Sequence, residues 1–317
     1  MAALKPGTKA RIVSDLHVGH GRFSDIFGAK DDFFASFVDD TIRTSDTLIL
    51  AGDVFELWQC GADEARAAHP TFFAALEHAA SNLRVLFIPG NHDAVRTFPI
   101  HGVEVVDEIR LAPDVRLVHG DEFDLYYRSM VSPRGLPRIV VAFHNFLEQT
   151  LGVYLRWPVR DHNSLLNRAV IRAQYPYGLW KEVVRDVART LGLKKIEHQA
   201  ELFLEYWVRG QSGDPSAMIV PVRESLATAG DVSTLVCGHS HVPGVVALPR
   251  GRYANIGSWT FNDATAGDWR GDALSVVDVR SGATYNDALY RHLLDEPLPT
   301  FTEWWQRHYK GLLEFHF

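Results

Sequence analysis

Two cysteines in 317 residues, Cys60 and Cys237, are too few for a disulfide framework, and Cys237 lies in an apolar run that suits a buried free thiol. A reducing compartment fits that usage. No uninterrupted apolar stretch reaches the ~20 residues needed to span a bilayer, and the opening MAALKPGTKARIV lacks the charged-then-apolar pattern of a signal peptide. The expected location is therefore cytoplasmic. An excess of basic charge is also missing. The net charge is −7, which argues against general nucleic-acid binding because that rests on clustered Lys and Arg. Any affinity for an anionic substrate must be local. Neither internal repeats nor low-complexity segments occur, while 46% hydrophobic and 22% charged residues are ordinary for a folded chain with a sizeable core.

Short β-branched runs that stop abruptly are abundant: Ala10–Ser14, Thr47–Ala51, Leu83–Ile88, Val115–Val118 and Thr234–Cys237. They read as buried strands. Between the early ones, Asp31–Ile42 and Pro70–Ala80 carry apolar residues at helical spacing, so strand and helix alternate and the frame is α/β. Arg252–Gly257, Ala273–Val279 and Ala283–Tyr290 look like further strands extending the sheet. The stretch between Phe123 and Asp231 instead shows helical patterns, among them Leu136–Leu155 and Lys194–Arg209. It reads as a helical insertion, residues 123–231, in a core made of 1–122 and 232–293. Residues 294–317 form an aromatic tail.

The chemistry lies at the strand endings. The five runs hand over to Asp15-Leu16-His17, Gly52-Asp53, Gly90-Asn91-His92-Asp93, His119-Gly120-Asp121 and Gly238-His239-Ser240-His241. Strand carboxyl ends hold ligands in open α/β sheets. Singly, an Asp there is usually a turn or a helix cap and a His usually structural; five such endings together are not. Asp, His and Asn supply donors of intermediate hardness, suited to Mn, Fe, Zn or similar divalent ions. Two ions ~3.5–4 Å apart need a bridging ligand, which one Asp on a tight Gly turn, such as Asp53, can be.

In this order the motifs resemble the calcineurin-like metallophosphoesterases, over roughly Arg11–Asp124 and Thr234–Asn262. The resemblance implies a four-layer α/β/β/α sandwich with the helical insertion as a lid, and a metal-dependent phosphoesterase acting on ester or anhydride bonds of phosphate. It implies two divalent ions, manganese first, with Fe, Zn or Mg accepted by the same donors. One would take Asp15, His17, Asp53 and His241, the other Asp53, Asn91, His119 and His239. His92 would stand beside the leaving group as proton donor or charge stabiliser, with Asp93 orienting its ring. Asn255-Ile256-Gly257-Ser258 resembles a turn that packs beside the site in these enzymes.

Gly52-Asp53-Val54-Phe55-Glu56-Leu57-Trp58 and Ser14-Asp15-Leu16-His17 look like the branch containing UDP-2,3-diacylglucosamine pyrophosphatase, which also inserts a helical lid. Members of that branch usually carry Arg where this chain has His92, and their insertion is shorter. The implied substrate is a small phosphate-containing molecule, nucleotide-linked or lipid-linked, cleaved at a diester or pyrophosphate. A phosphomonoesterase or protein phosphatase is the alternative, followed by a nuclease, which the acidic balance disfavours, and a non-catalytic scaffold, which would usually have lost ligands. The insertion mixes aromatic and basic residues (Tyr126, Tyr127, Arg128, Arg134, Arg138, Arg156), a composition suited to phosphate oxygens and apolar groups. Arg128, closest after His119, is the substrate-binding candidate. The tail with Trp304, Trp305 and Tyr309 suits packing on the body or a second copy in a homodimer, and secondarily a peripheral contact with the inner face of a membrane.

Overall fold

The computed structural model describes residues 1–22, 25–93, 97–125, 128, 165–211, 217–285, 299–304 and 306. In chain order the strands are β1 (Ala2–Ala3), β2 (Ala10–Val13), β3 (Thr47–Leu50), β4 (Arg84–Phe87), β5 (Val103–Val105), β6 (Ile109–Ala112), β7 (Val115–Leu117), β8 (Thr234–Cys237), β9 (Gly244–Leu248), β10 (Gly251–Asn255), β11 (Thr265–Trp269), β12 (Leu274–Asp278) and β13 (Thr284–Tyr285). The helices are α1 (Asp31–Thr44), α2 (Ala62–Ala68), α3 (Pro70–Asn82), α4 (Leu165–Thr190), α5 (Lys194–Gln211) and α6 (Ile219–Thr228). Acidic Asp31 and Asp32 sit in the first turn of α1, where the helix dipole favours them, and Pro70 opens α3 with its φ already set.

The strands form two sheets. One runs β13-β12-β11-β2-β3-β4-β5 and the other β1-β6-β7-β8-β10-β9. In the first, β2, β3, β4 and β5 are parallel and β11 joins β2 antiparallel; in the second, β7, β8 and β10 are parallel. Because side chains alternate across a strand, an unbroken apolar run feeds two cores at once. Val13, Leu48, Leu50, Val85 and Phe87 pack on α1 and α3 through Phe34, Phe37, Phe72 and Phe73. Their neighbours Ile12, Ile49 and Leu86 turn inward and meet Leu117, Val236 and Ala254 of the other sheet. On the far face Leu235, Cys237 and Tyr253 pack under Met218, Ile219, Val222 and Leu226. Three apolar layers between four layers of backbone give α/β/β/α, as expected.

One boundary differs from the expectation. Helix α6 lies within the span read as insertion, yet its apolar face covers β8 and β10 and supplies the fourth layer. Among the described residues of that span, α4 and α5 pair as a helical hairpin of their own, with Pro176 inside α4. The expected helix Leu136–Leu155 and most of the expected strand Ala283–Tyr290 lie outside the described residues. Within the tail, Phe301 and Trp304 are buried and Thr302 Oγ1 donates to Glu182 Oε2 of α4 at 2.6 Å, so this part packs on the insertion helix α4. The remainder of the tail is outside the described residues, Gln306 apart. Among the described residues no helix is long and apolar enough to cross a membrane.

Candidate metal centre

The parallel strands of both sheets end on the same side, and the chain turns sharply at each end. Asp15 (φ 54°), His17 (φ 51°), Asp53 (φ 50°), His239 (φ 67°) and His241 (φ 59°) all occupy the left-handed region, which side-chain-bearing residues seldom adopt. Each costs on the order of 1–3 kcal/mol, and such strain gathers at functional sites. The glycines of the motifs answer a packing demand. A Cβ at Gly52, itself at φ 93°, would collide with the ring of His119, and one at Gly238 would collide with Ser14 Oγ and Asp15 Oδ2.

Seven side chains converge there as two donor sets. In the first, His17 Nδ1 is taken by Glu56 Oε2 at 2.9 Å, leaving Nε2 facing His241 Nε2 at 3.2 Å, Asp15 Oδ1 at 3.8 Å and Asp53 Oδ2 at 3.9 Å. His241 Nε2 lies 3.2 Å from Asp15 Oδ1. In the second, His119 Nδ1 is taken by the Ala51 carbonyl at 3.0 Å, leaving Nε2 at 3.1 Å from Asn91 Oδ1 and 3.3 Å from Asp53 Oδ2. His239 completes the group with Asp53 and His119, all within 4.8 Å. Asp53 Oδ2 thus stands between the two sets, while its Oδ1 accepts the His92 N–H at 2.7 Å.

Whether these donors fit divalent ions can be tested on the atoms themselves. Asp15 Oδ2 accepts from Ser14 Oγ and from the His239 N–H, whereas Oδ1 is buried and accepts no hydrogen bond. A buried carboxylate oxygen left open in this way carries a desolvation penalty that a cation relieves. The electrostatics agree. Burial opposes ionisation of Asp15 and Asp53, yet the charge of His241 on Asp15, and of His119 and His92 on Asp53, hold both well below the ordinary carboxylate range. Burial likewise opposes charging of His17, His119 and His239, but the neighbouring carboxylates of Asp15 and Glu56 raise His17, the charge of Asp53 raises His119, and the hydrogen bond to Asp124 raises His239. His241 is shifted down by burial. A pocket that holds protons on imidazoles so firmly is one that draws cations, and its O/N donor set suits intermediate divalent metals.

His92 borders the two sets but is held otherwise than expected. Its Nδ1 lies 2.7 Å from Glu56 Oε1, and the indole of Trp58 stacks on its ring with centroids 3.7 Å apart and planes at 19°. Trp58 is itself tied by Nε1 to the Asn91 carbonyl at 3.0 Å. The role expected of Asp93, orienting His92, falls to Glu56. Asp93 is fully buried and its carboxylate accepts four backbone N–H groups: Gly90 at 2.8 Å and Asp53 at 3.1 Å on Oδ1, Val54 at 2.6 Å and Phe55 at 3.1 Å on Oδ2. It ties the Gly52 turn to the Gly90 turn. Burial and the charge of Asp53 push its pKa up to about 6. Glu56 is driven the opposite way: burial would raise it, but the charge of His92 and hydrogen bonds from both imidazoles bring it down to about 2.

Arg128 does not join this cluster among the described contacts. It is exposed, 4.0 Å from Glu224 of α6, and lines a surface cavity of about 350 Å³ with Glu122, Phe123 and Ser225. Of the insertion's other candidates, Tyr126, Tyr127, Arg134, Arg138 and Arg156 lie outside the described residues. Asn255 is buried and its Nδ2 donates to the Gly238 carbonyl at 2.5 Å and to Ser240 Oγ at 3.0 Å, bracing the turn that carries His239 and His241. Three residues were not singled out from the sequence: Glu56, Trp58 and Asp124, the last placing Oδ2 2.7 Å from His239 Nε2. Glu56 and Trp58 stood in a motif already quoted, but nothing in spacing tells which carboxylate meets an imidazole from another strand.

Residues 9–243 match the Calcineurin-like phosphoesterase family. A UDP-2,3-diacylglucosamine hydrolase from Shewanella pealeana is 38% identical over 81 residues, which is 26% of this chain and 32% of that relative, so the chain matches about a third of the relative's length. Among solved structures, a dimetal phosphatase from Danio rerio aligns over 86% of this chain and 96% of its own at 12% identity, with a TM-score of 0.39. A nuclease from Pseudomonas putida aligns over 35% and 53% at 26% identity, with a TM-score of 0.26.

Proposed function

Because this chain belongs to the calcineurin-like phosphoesterase family, we propose that it hydrolyses a phosphodiester or pyrophosphate bond at a centre of two divalent ions. The observation that carries this reading is the convergence of two donor sets on Asp53, with Asp15 Oδ1 buried and open. Asp15, His17, Asp53 and His241 would hold one ion; Asp53, Asn91, His119 and His239 would hold the other. Bound there, the ions would supply positive charge to the phosphoryl oxygens and acidify the attacking water. Manganese is the proposed native metal.

The chain's own groups do the rest. Glu56 fixes the Nδ1 side of His92, so the proton available for transfer sits at Nε2, and Trp58 holds the ring plane. An imidazole so fixed can protonate the departing oxygen, an effect typically worth 10²–10⁴-fold. Asp93 keeps the two loops that carry Asp53 and Asn91 in register.

For the substrate we propose a small molecule in which a pyrophosphate joins a nucleoside to a sugar or lipid. The Shewanella relative is named for such a compound, and the Gly52–Trp58 motif supports the same branch. The region after Phe123 up to α6 would then form the lid, inside the cytoplasm. The test is turnover by manganese-loaded protein of a monoester, a diester and a UDP-sugar pyrophosphate. Hydrolysis of the last two with two ions per chain is expected, and His92→Ala should cut kcat about 10²–10⁴-fold with metal content unchanged. Turnover of the monoester alone would overturn the substrate class; fewer than two ions with no hydrolysis would overturn the site.

A further inference from the structure

Asp124 is the residue at which the chain leaves the core. It comes directly after the single turn Asp121–Phe123, its N–H donates to the Asp121 carbonyl at 3.2 Å, and its own carbonyl accepts the Arg128 N–H at 3.1 Å, the first turn of the next segment. The side chain points the other way. It is buried, and Oδ2 lies 2.7 Å from Nε2 of His239. The His239 N–H is bonded to Asp15 Oδ2, and its ring stands edge-on to His119 with centroids 5.2 Å apart. Backbone, ring face and one ring nitrogen of His239 are therefore all engaged. With Nε2 on Asp124, Nδ1 would be the nitrogen that His239 offers to an ion held with Asp53 and His119.

We infer that Asp124 is the positioning residue for His239 and through it sets the affinity of the second ion. The inference rests on the two-ion reading above. A carboxylate on the far nitrogen of a ligating imidazole fixes tautomer and ring orientation and raises basicity, and its loss commonly weakens metal binding 10- to 100-fold. Glu56 stands in the same relation to His17. The difference is origin: Glu56 comes from the loop after β3, rigidly braced by the sheet, whereas Asp124 belongs to the turn from which the intervening segment departs. Loss of the Asp124 carboxylate would then weaken the second ion and leave the first, held by His17 and His241, as it was.

The experiment is a titration of metal-free protein with Zn²⁺ against a chromophoric chelator, together with the visible spectrum of the Co²⁺-loaded form. Wild type should bind two ions. Asp124→Ala should bind one as before and the other about 10- to 100-fold more weakly, with half of the Co²⁺ absorption altered. Asp124→Asn, whose amide oxygen still accepts from an imidazole N–H, should recover most of that loss. Should the alanine variant not fold, Asp124→Ser carries the same expectation. Two ions bound as tightly in the variants as in wild type, or both weakened alike, would overturn the inference alone; a wild type that binds fewer than two would overturn the site reading and the inference with it.

Discussion

Replacing Asp93 by Asn changes one atom in kind and little in shape, and it separates two roles. Four backbone N–H groups point at this carboxylate, two on each oxygen. Whichever way the amide settles, its NH₂ faces two of those donors, so either Gly90 and Asp53 or Val54 and Phe55 lose their acceptor. A hydrogen bond to an ionised acceptor contributes ~1.5–3 kcal/mol, and two of them ~3–6 kcal/mol, a large part of the ~5–15 kcal/mol that holds a domain together. In metal-free protein the loss is partly offset, since burial and the nearby Asp53 charge already disfavour the Asp93 anion, pushing it up to about 6. Ions on Asp53 would cancel that repulsion. The expected outcome, by differential scanning calorimetry, is therefore a Tm lowered on the order of 10 °C in the loaded protein and by less in the stripped one. A variant with unchanged Tm and full metal content, but with turnover reduced like that of His92→Ala, would refute this reasoning and return Asp93 to the role of orienting His92.

Three further outcomes rest on the same geometry. Glu56→Gln removes the charge shared by His17 and His92, so affinity at the first ion should fall about 10-fold or more and kcat with it; a variant titrating and turning over like wild type would count against Glu56 as their common anchor. Gly238→Ala drives a methyl group into Ser14 Oγ and Asp15 Oδ2 and should abolish binding of at least one ion while the purified protein still unfolds cooperatively. The third concerns His69, buried between Asp25 and Asp31 at 2.9 Å each; burial alone would lower its pKa, but those hydrogen bonds raise it to about 9. A raised imidazole stabilises fully below its unfolded pKa near 6.5 and loses that contribution as pH rises through 9, up to about 3 kcal/mol from 2.5 units at 1.36 kcal/mol each. Urea denaturation at pH 6.5 and 9.5 should show a stability loss that His69→Gln lacks, and equal slopes in both proteins would exclude His69 as its source.

The strand-forming runs and their endings were legible because both depend on local chemistry. An apolar β-branched run buried on both faces reads the same wherever it lies, and Asp15, His17, Asp53, Asn91, His119, His239 and His241 were visible because each comes just after such a run. The alternation of α and β, and the resemblance carried by five ordered motifs, sufficed for the four-layer sandwich. Orientation and partnership were not legible. Asp93 sits next to His92 in the chain, which invited pairing them, yet its side chain is consumed by three N–H groups 38 to 40 residues away and by that of Gly90. Glu56 reaches His92 across 36 residues because the β3 and β4 ends are neighbours in the sheet. Helix α6 reads like the helices before it, since an amphipathic pattern tells that a face is buried but not against what; only the packing on Leu235 and Tyr253 makes it part of the core. Side-chain chemistry and order along the chain thus determined which atoms could bind metal, while the pairing of strands decided which of them meet and which carboxylate steadies each imidazole.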